Sequence, residues 1–210
     1  MIAIIDYGMG NLFSVAHACK TVGLDAIITA EKTELRKADA LIFPGMGAFG
    51  DAMENLKKLD LISPIKDFVQ SGKPFMGLCL GMQLLLTESE EFGKHTGLNL
   101  IEGSVKKFQT KKEKVPQIGW NHIQQPSALS WVKTPFSSIK NNEFMYFVHS
   151  YYVTPEDEKI ILATTTYADQ TYCSSILKNN IFATQFHPEK SAEEGLKIYK
   201  NWGTLFNLYK

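Results

Sequence analysis

The sequence predicts an α/β fold in which a mostly parallel central β-sheet carries helices on both faces. In roughly the first ninety residues, short apolar runs alternate with amphipathic segments, the pattern of strands joined by crossover helices. Glycine-containing loops follow three of the apolar runs, as expected where a strand ends and a helix begins. Residues 105–181 contain mainly strand-like segments, which we expect to add antiparallel strands to the sheet.

The first half of the chain contains four predicted strands, which are short and apolar. In chain order they are "MIAIID", "LDAIIT", "DALIF" and "KPFMGL". Four amphipathic segments separate them and have the spacing of helices: "LFSVAHACKTV", "EKTELRKA", "AMENLKKL" and "SPIKDFVQSG". Gly23 follows the first helix, where a glycine can adopt the left-handed conformation that ends it.

Six further strands are predicted in the second half: "GSVKKF", "QIGWNHI", "EFMYFVHSYYV", "KIILATTTY", "YCSSILK" and "IFATQF". Asn179-Asn180 lies between the last two and is typical of a tight hairpin turn. A closing helix is expected over roughly residues 191–209. Because the sequence contains no repeat, low-complexity tract or flexible linker, it predicts one domain over residues 1–210.

Composition narrows the class of protein. Basic and acidic side chains number 22 each, so the net charge favours neither nucleic acid nor an anionic membrane. The three cysteines include no CxxC pair, which indicates neither a disulfide framework nor a zinc site and fits a reducing compartment. The N-terminal residues lack the features of a signal peptide, and no apolar run approaches the roughly 18 residues that span a bilayer. We therefore expect a cytoplasmic protein without a metal.

Three glycine-bearing loops follow predicted strands at residues 7–11, 44–50 and 77–81. Ligands of open parallel sheets bind beyond the carboxyl ends of the strands, so we expect these loops to form one site. The first loop resembles part of a dinucleotide-binding fingerprint, but Phe13 occupies the third glycine position. The second, "PGMGAFGD", can bring backbone N–H groups close to a ligand oxygen.

Cys79 lies in "GLCLG", which has the glycine-x-nucleophile-x-glycine form of a strand–turn–helix elbow. Glycine is required on each side because a side chain there would collide with the neighbouring strand and helix. The elbow directs the N–H of Leu80 toward the sulfur and a developing oxyanion. Cysteine is also among the most frequently buried residues, and that interpretation suits Cys19 and Cys173. The flanking glycines favour a nucleophile at Cys79.

A cysteine nucleophile requires a general base, and the chain contains five histidines. Structural or surface roles are expected for three of them, in a helix, a polar loop and a strand: His17, His95 and His122. His149 has no carboxylate within several residues. His187 ends an apolar strand and is followed by Pro188 and then Glu189, whose carboxylate can orient the imidazole from an extended chain. The predicted triad is therefore Cys79, His187 and Glu189.

The motifs "PGMGAFGD", "GLCLGMQLL" and "FHPEKS" occur in the order and spacing of the class-I, triad-type glutamine amidotransferases, and the chain resembles this family over essentially its whole length. The resemblance implies a flavodoxin-like α/β fold. It also implies that Cys79 attacks the side-chain amide of glutamine while His187 transfers protons and Glu189 orients it. Ammonia leaves, water hydrolyses the γ-glutamyl thioester to glutamate, and no cofactor is required.

The resemblance also implies roles for residues outside the triad. The backbone groups expected to bind the oxyanion belong to Met46, Gly47 and Leu80. The residues expected around the glutamine are Gln83, Glu91, Ser150 and Tyr151. Glu91 is suited to the substrate ammonium group. The residues expected at a contact with a partner subunit are Asn11, Trp120, Tyr146 and Lys190.

Within the family, the chain most resembles the glutaminase subunits of imidazole glycerol phosphate synthases, through "IIDYGMGNLFSV", "GWNHI", "YFVHSYYV" and "ATQFHPEKS". This resemblance implies a heterodimer with a (β/α)₈-barrel cyclase that receives ammonia through a tunnel. The cyclase would make imidazole glycerol phosphate and an aminoimidazole carboxamide ribotide in histidine biosynthesis. The sequence ends soon after the last motif, so we expect a separate partner to use the ammonia.

Three alternatives share this fold. A paralogous subunit would supply ammonia for sugar amination in surface polysaccharide or glycan synthesis, and its elbow and triad would be the same. The glutaminase of pyridoxal phosphate synthesis is less compatible with "DYGMGN" and "GWNHI". A non-catalytic binding module is the third alternative, and the intact triad argues against it.

Overall fold

The computed structural model describes residues 1–127 and 130–209. Their strands are β1 (Ile2–Ile5), β2 (Ala26–Thr29), β3 (Ala40–Phe43), β4 (Phe75–Leu78), β5 (Leu86–Ser89), β6 (His95–Thr96), β7 (Ile101–Lys107), β8 (Gln117–Ile123), β9 (Glu143–His149), β10 (Tyr151–Pro155), β11 (Ile161–Tyr167), β12 (Gln170–Lys178) and β13 (Ile181–Thr184). Their helices are α1 (Leu12–Thr21), α2 (Lys32–Lys37), α3 (Phe49–Lys58), α4 (Ile62–Gln70), α5 (Leu80–Gln83) and α6 (Ala192–Leu205), with 3₁₀ turns at Glu158–Ile160 and Pro188–Lys190. No helix in these two ranges is both long enough and apolar enough to cross a membrane.

One large mixed sheet and one two-stranded sheet organise the described residues. In the large sheet the strand order is β2-β1-β3-β4-β13-β12-β10-β7-β5-β6, with β11 beside β12, and β8 and β9 form the second sheet. The strands from β2 to β13 in this order are parallel. β13, β12, β10 and β7 are joined by antiparallel pairs. The predicted fold class, with a parallel first half and antiparallel strands added later, is confirmed.

Both faces of the parallel part are buried, as parallel sheets require. On β1, Ile2 and Ile4 pack in one core with residues of α1 and α6. Ala3 and Ile5 point to the other face and pack with residues of α2, α3 and α4. The side chains of one strand therefore alternate between two cores, which explains why the strand contains no polar residue.

The elements predicted in the first half are present, and they differ mainly in extent. α3 begins at Phe49, inside the second glycine loop, rather than near Ala52. The cause is distant in sequence, because the backbone N–H of Phe49 donates to Glu91 Oε2 at 2.7 Å and this satisfies the first turn of the helix. The helix after Cys79 is a single turn, and it leads into β5 and β6, which the sequence pattern did not indicate.

The second half contains one clear correction. The segment "EFMYFVHSYYV" was predicted as one strand, but it forms β9 and β10, which belong to different sheets. The break falls at Ser150, whose carbonyl accepts from the N–H of Phe108. The predicted Asn179-Asn180 hairpin is present, with Lys178 paired to Ile181. The closing helix is shorter than predicted, and the start of "KIILATTTY" is a 3₁₀ turn.

Candidate active site

The carboxyl ends of β1, β3, β4 and β13 meet at one edge of the sheet, where a cavity of about 200 Å³ opens. Each of the three glycine-bearing loops contributes to its wall, and residues 148–151 and the segment after β13 close the other side. The expected convergence of these loops is therefore observed. It follows from the shared direction of the parallel strands.

Cys79 sits on a sharp turn between β4 and α5, with φ of +52° and ψ of −108°, a conformation that is uncommon for a residue with a side chain. Its backbone N–H donates to the carbonyl of Thr184 at 2.7 Å, which holds the turn against β13. The two glycines that flank Cys79, Gly77 and Gly81, differ in how little space they leave for a side chain. A Cβ at Gly81 would lie 1.8 Å from the carbonyl oxygen of Phe43, whereas one at Gly77 would lie 3.2 Å from the Cβ of Ala183.

We expect Gly81→Ala to destabilise the protein by about 3 kcal/mol or more, because the added methyl group meets backbone that no side-chain rotation can move. Urea unfolding measures the free energy. Gly72→Ala is the control, since Gly72 has nothing within 4 Å of its Cβ position, and its φ of +79° adds only a backbone strain that Gly81, in α5, does not have. That control should lose only about 1–2 kcal/mol. Equal losses in the two variants would show that the close approach to Phe43 does not matter.

His187 and Glu189 lie together directly after β13. His187 Nδ1 is 2.7 Å from Glu189 Oε1, and the two side chains are 9% and 2% exposed. Glu189 reaches the ring through the 3₁₀ turn that begins at Pro188, not through an extended chain as predicted. The backbone N–H of His187 also donates to the carbonyl of Tyr146 at 2.9 Å, which fixes the imidazole beside β9.

The electrostatic surroundings favour a charged imidazole at His187. Burial alone lowers its pKa, but the negative charge of Cys79 and a hydrogen bond to that sulfur raise it, as does the Glu189 carboxylate, and the result is a pKa of about 10. Glu189 holds Nδ1, which leaves Nε2 for the sulfur. The arrangement therefore suits a cysteine–histidine pair, in which the imidazole can hold the proton of the thiol and activate the sulfur as a nucleophile.

His149 is buried beside the triad, and the structure agrees with its exclusion as the base. Its Nδ1 lies 2.8 Å from the carbonyl of Tyr151, and its Nε2 lies 3.2 Å from the hydroxyl of Tyr172. Burial lowers its pKa to about 4, and the hydrogen bond to Tyr151 only partly opposes this effect. His149 is thus neutral at physiological pH, and both of its ring nitrogens are occupied.

The glycine loop between β3 and α3 faces the sulfur across the cavity. Its backbone is packed tightly, since a Cβ at Gly45 would lie 2.5 Å from the hydroxyl of Tyr7. Gly47 has φ of +99°. Within the described residues, the N–H groups of Met46, Gly47 and Leu80 donate to no protein acceptor. These N–H groups are the ones expected to bind an oxyanion, and they line the cavity.

Three of the four residues expected around a glutamine line the cavity: Gln83, Ser150 and Tyr151. Glu91 does not. Its carboxylate accepts from the N–H of Phe49 and borders a neighbouring depression. Burial raises the pKa of Glu91, although the bond from Phe49 and the charge of His95 oppose this effect. Burial is the main cause that raises the pKa of the Tyr151 phenol, and the negative charge of nearby Glu91 raises it further.

The four residues expected at a partner contact lie around the cavity mouth and on the two-stranded sheet. Asn11 and Lys190 are exposed residues of the cavity wall. Trp120 and Tyr146 face each other across β8 and β9, with ring centroids 6.1 Å apart.

Gln185 is a site residue that the sequence reasoning missed. It is fully buried, and its Nε2 lies 3.5 Å from Cys79 Sγ. Its position two residues before His187 was the available signal, because alternate residues of a strand face the same side.

The family model of "Glutamine amidotransferase class-I" matches residues 3–204. Curated relatives named "Imidazole glycerol phosphate synthase subunit HisH" include one from Syntrophotalea carbinolica, 47% identical over 98% of this chain and 100% of that protein. Another, from Aquifex aeolicus, is 44% identical over 95% of this chain and 94% of that protein.

Solved structures with the same fold include "Crystal structure of glutamine amidotransferase", with a TM-score of 0.74, 17% identity, and coverage of 99% of this chain and 100% of that chain. The glutaminase domain of Trypanosoma brucei CTPS with bound acivicin has a TM-score of 0.69 and 16% identity, and the match covers 100% of this chain and 94% of that chain. At these identities the likeness concerns the fold alone.

Proposed function

We infer that this chain, which belongs to the class-I glutamine amidotransferase family, is the glutaminase subunit of an imidazole glycerol phosphate synthase. Its substrate is glutamine, and as a subunit it works with a partner. The observation that carries this proposal is the Cys79–His187–Glu189 arrangement. It occurs in a chain that is 44–48% identical, over nearly their full length, to relatives such as those from Aquifex aeolicus and Caldanaerobacter subterraneus.

In the first half-reaction the Cys79 thiolate attacks the side-chain carbonyl carbon of glutamine. The oxygen becomes an oxyanion, and we expect the N–H groups of Met46, Gly47 and Leu80, which line the cavity, to bind it. The His187 imidazolium gives its proton to the amide nitrogen, the C–N bond breaks, and ammonia leaves. The products at this stage are a γ-glutamyl thioester on Cys79 and a neutral imidazole.

In the second half-reaction water attacks the thioester carbonyl, and neutral His187 accepts the proton of that water. The tetrahedral intermediate then expels the Cys79 thiolate and releases glutamate. His187 is again an imidazolium, so the pair returns to its starting state. Glu189 keeps the proton of His187 on Nδ1 in the neutral stage, which leaves Nε2 free to act as the base.

An exposed apolar face of the two-stranded sheet supports a partner-binding surface beside the cavity. Ile118 and Trp120 of β8 are 64% and 52% exposed. They pair with Val148 and Tyr146 of β9, which lie on the same face of the sheet. Contiguous exposed apolar surface of this kind marks interaction sites. Val148 also lines the cavity, so a partner on this face would lie next to the site where ammonia forms.

We propose that the partner is a (β/α)₈-barrel cyclase that uses the ammonia in histidine biosynthesis. We also propose that residues 1–210 form one glutaminase domain that works in the cytoplasm. The match of the family model to residues 3–204 supports one domain. The three unpaired cysteines are consistent with a reducing compartment.

Co-purification with an assay of glutamine hydrolysis tests this function. We expect the isolated chain to hydrolyse glutamine slowly. Addition of the cyclase subunit and its nucleotide substrate should raise the rate by about tenfold or more, within the usual range of coupling between sites. Recovery of a sugar-amidating subunit, or fast hydrolysis without any partner, would contradict the proposal.

We expect Trp120→Ala to weaken binding of the cyclase subunit by about 30-fold, because a buried tryptophan typically contributes 2 kcal/mol or more to an interface. Titration calorimetry of the purified subunits measures the dissociation constant. Leu59→Ala is the control, since Leu59 is an exposed apolar residue at the end of α3 and belongs to neither β8 nor β9. If Trp120→Ala binds like the control, the apolar face is not the partner surface.

A further inference from the structure

The side chain of Gln185 lies against the Cys79 sulfur and is fully buried. Gln185 follows β13, and its backbone N–H donates to the carbonyl of Ser174 on β12 at 2.9 Å, which holds the base of the side chain in place. Its Nε2 is 3.5 Å from Cys79 Sγ. A buried amide at this distance has either its nitrogen or its oxygen toward the sulfur, and the two orientations have opposite effects on a thiolate.

Three groups linked by hydrogen bonds fix which end of the amide faces the sulfur. Gln83 lies 2.9 Å from the carbonyl oxygen of Tyr151, which can only accept, so Gln83 must present its nitrogen there. The same nitrogen lies 3.0 Å from Gln185. Gln185 must therefore accept through Oε1, and its Nε2 is turned to the sulfur. A backbone carbonyl thus sets the direction of the whole chain of bonds.

A further contact of the sulfur, besides those of Gln185 and His187, is unfavourable to a thiolate. The carbonyl oxygen of Val148 lies 3.9 Å from Sγ. A thiol can donate to this oxygen, but a thiolate can only be repelled by it. Among the described neighbours, Gln185 is the uncharged side chain whose donor points at the sulfur, and hydrogen bonds to charged atoms are about twice as strong as neutral ones.

We propose that Gln185 is a catalytic residue, whose amide N–H donates to the Cys79 thiolate and holds the sulfur in its ionised form, with Gln83 and Tyr151 fixing the direction of that donor. This role rests on the glutaminase function proposed above. Gln185 and His187 stabilise the same thiolate from separate positions. Gln185 does so without losing a proton during the reaction, so it serves both half-reactions.

The other titratable groups around the sulfur do not supply this stabilisation. Burial keeps the pKa of Tyr7 and Tyr172 above the ordinary value, so both phenols are neutral. Burial lowers the pKa of His149, so it is neutral as well. The carboxylate of Glu189 contacts His187 Nδ1 and acts on the sulfur only through that ring. The positive charge of His187 and the amide of Gln185 remain as the groups that favour the thiolate.

The rate at which iodoacetamide alkylates Cys79 as a function of pH tests the proposal in the full-length chain. The labelled peptide identifies the cysteine, and the midpoint of the profile reports its ionisation. We expect Gln185→Leu to raise the midpoint by about one unit, which means about tenfold slower alkylation below it. We expect Gln185→Glu to raise the midpoint further, because a carboxylate adds a like charge beside the sulfur.

Gln185→Glu also protects the test against a folding defect. It is nearly isosteric, and its oxygen can still accept from Gln83, so only the contact with the sulfur changes. Gln70→Glu, on the exposed end of α4, controls for the added charge and should leave the midpoint unchanged. A midpoint in Gln185→Glu that equals that of the parent chain would overturn the proposal.

The assay separates this proposal from the proposed function. Iodoacetamide does not resemble glutamine, and its reaction requires no partner, so the midpoint can be measured even if the chain fails to hydrolyse glutamine. In the complex with the partner, Gln185→Leu should also lower kcat for glutamine by about tenfold or more with little change in KM. A loss confined to KM would show that Gln185 only shapes the substrate pocket.

Discussion

Replacing Cys79 with serine is expected to lower kcat for glutamine hydrolysis by about 10⁵-fold or more, which is the usual cost of losing a nucleophile from a catalytic triad. The structure gives a specific reason for the size of this loss. The raised pKa of His187 depends largely on the Cys79 thiolate. A serine hydroxyl remains protonated at neutral pH, so the imidazole loses this stabilisation and is no longer a charged acid paired with a ready nucleophile.

A glutamine-analogue electrophile checks the same prediction without turnover. It should label the parent chain at Cys79 and leave Cys79→Ser unlabelled. Cys19→Ser and Cys173→Ser are matched controls, because both residues are buried and burial raises the pKa of both thiols, that of Cys19 to about 12. Both control variants should be labelled like the parent chain. Labelling at Cys19 or Cys173 would contradict the assignment of the nucleophile.

The sequence could predict that Cys79 lies on a sharp turn and that His187 and Glu189 lie together, because each belongs to a short motif whose geometry is local. The glycines around Cys79 are required by backbone within a few ångströms, and Gly81 lies against the carbonyl of Phe43. His187 and Glu189 are two residues apart and contact each other directly. The predicted backbone path from His187 to Glu189 was wrong, since a 3₁₀ turn replaces the extended chain.

The parts that could not be predicted depend on contacts between distant segments. Neither glycine nor proline marks the break at Ser150, which exists because β9 and β10 pair with strands in different sheets. The role of Glu91 at the substrate stays a prediction, but the hydrogen bond that its carboxylate accepts from Phe49, a residue far away in sequence, could not be foreseen. Gln185 acquires its orientation only through Gln83 and Tyr151. No local pattern specifies these partners.

Glu189→Gln is expected to lower kcat by about 10³- to 10⁴-fold, even though it changes neither the size nor the shape of the side chain. Oε2 of Glu189 has no hydrogen-bond partner within the described residues, so nothing prevents a glutamine amide from turning its NH₂ group toward the imidazole. That NH₂ group would donate to Nδ1 of His187 and move the ring proton to Nε2. The ring could then no longer accept a proton from water at the side that faces the substrate.

Glu189→Gln should also change the pH dependence of kcat/KM, in a direction set by the loss of the negative charge of Glu189. In the parent chain, kcat/KM should fall on the alkaline side as the pH rises through the pKa of His187, about 10, because the imidazolium that protonates the leaving amide nitrogen is lost. The Glu189 carboxylate is one cause of that raised pKa, after the contribution of Cys79. Removing the carboxylate therefore lowers the pKa, and the alkaline limb should move to lower pH.

A pH profile of glutamine hydrolysis by the complex with the partner measures both effects. Glu193→Gln, at the exposed start of α6, controls for the loss of a negative charge and should leave the alkaline limb in place.

Glu189→Asp keeps the negative charge on a side chain that is one methylene shorter. It should therefore preserve the pH of the alkaline limb better than it preserves kcat. This separation is informative because tautomer control depends on contact at 2.7 Å, whereas the electrostatic effect on the pKa decreases only gradually with distance. If Glu189→Gln kept kcat within tenfold of the parent value and left the limb unmoved, Glu189 would not orient His187.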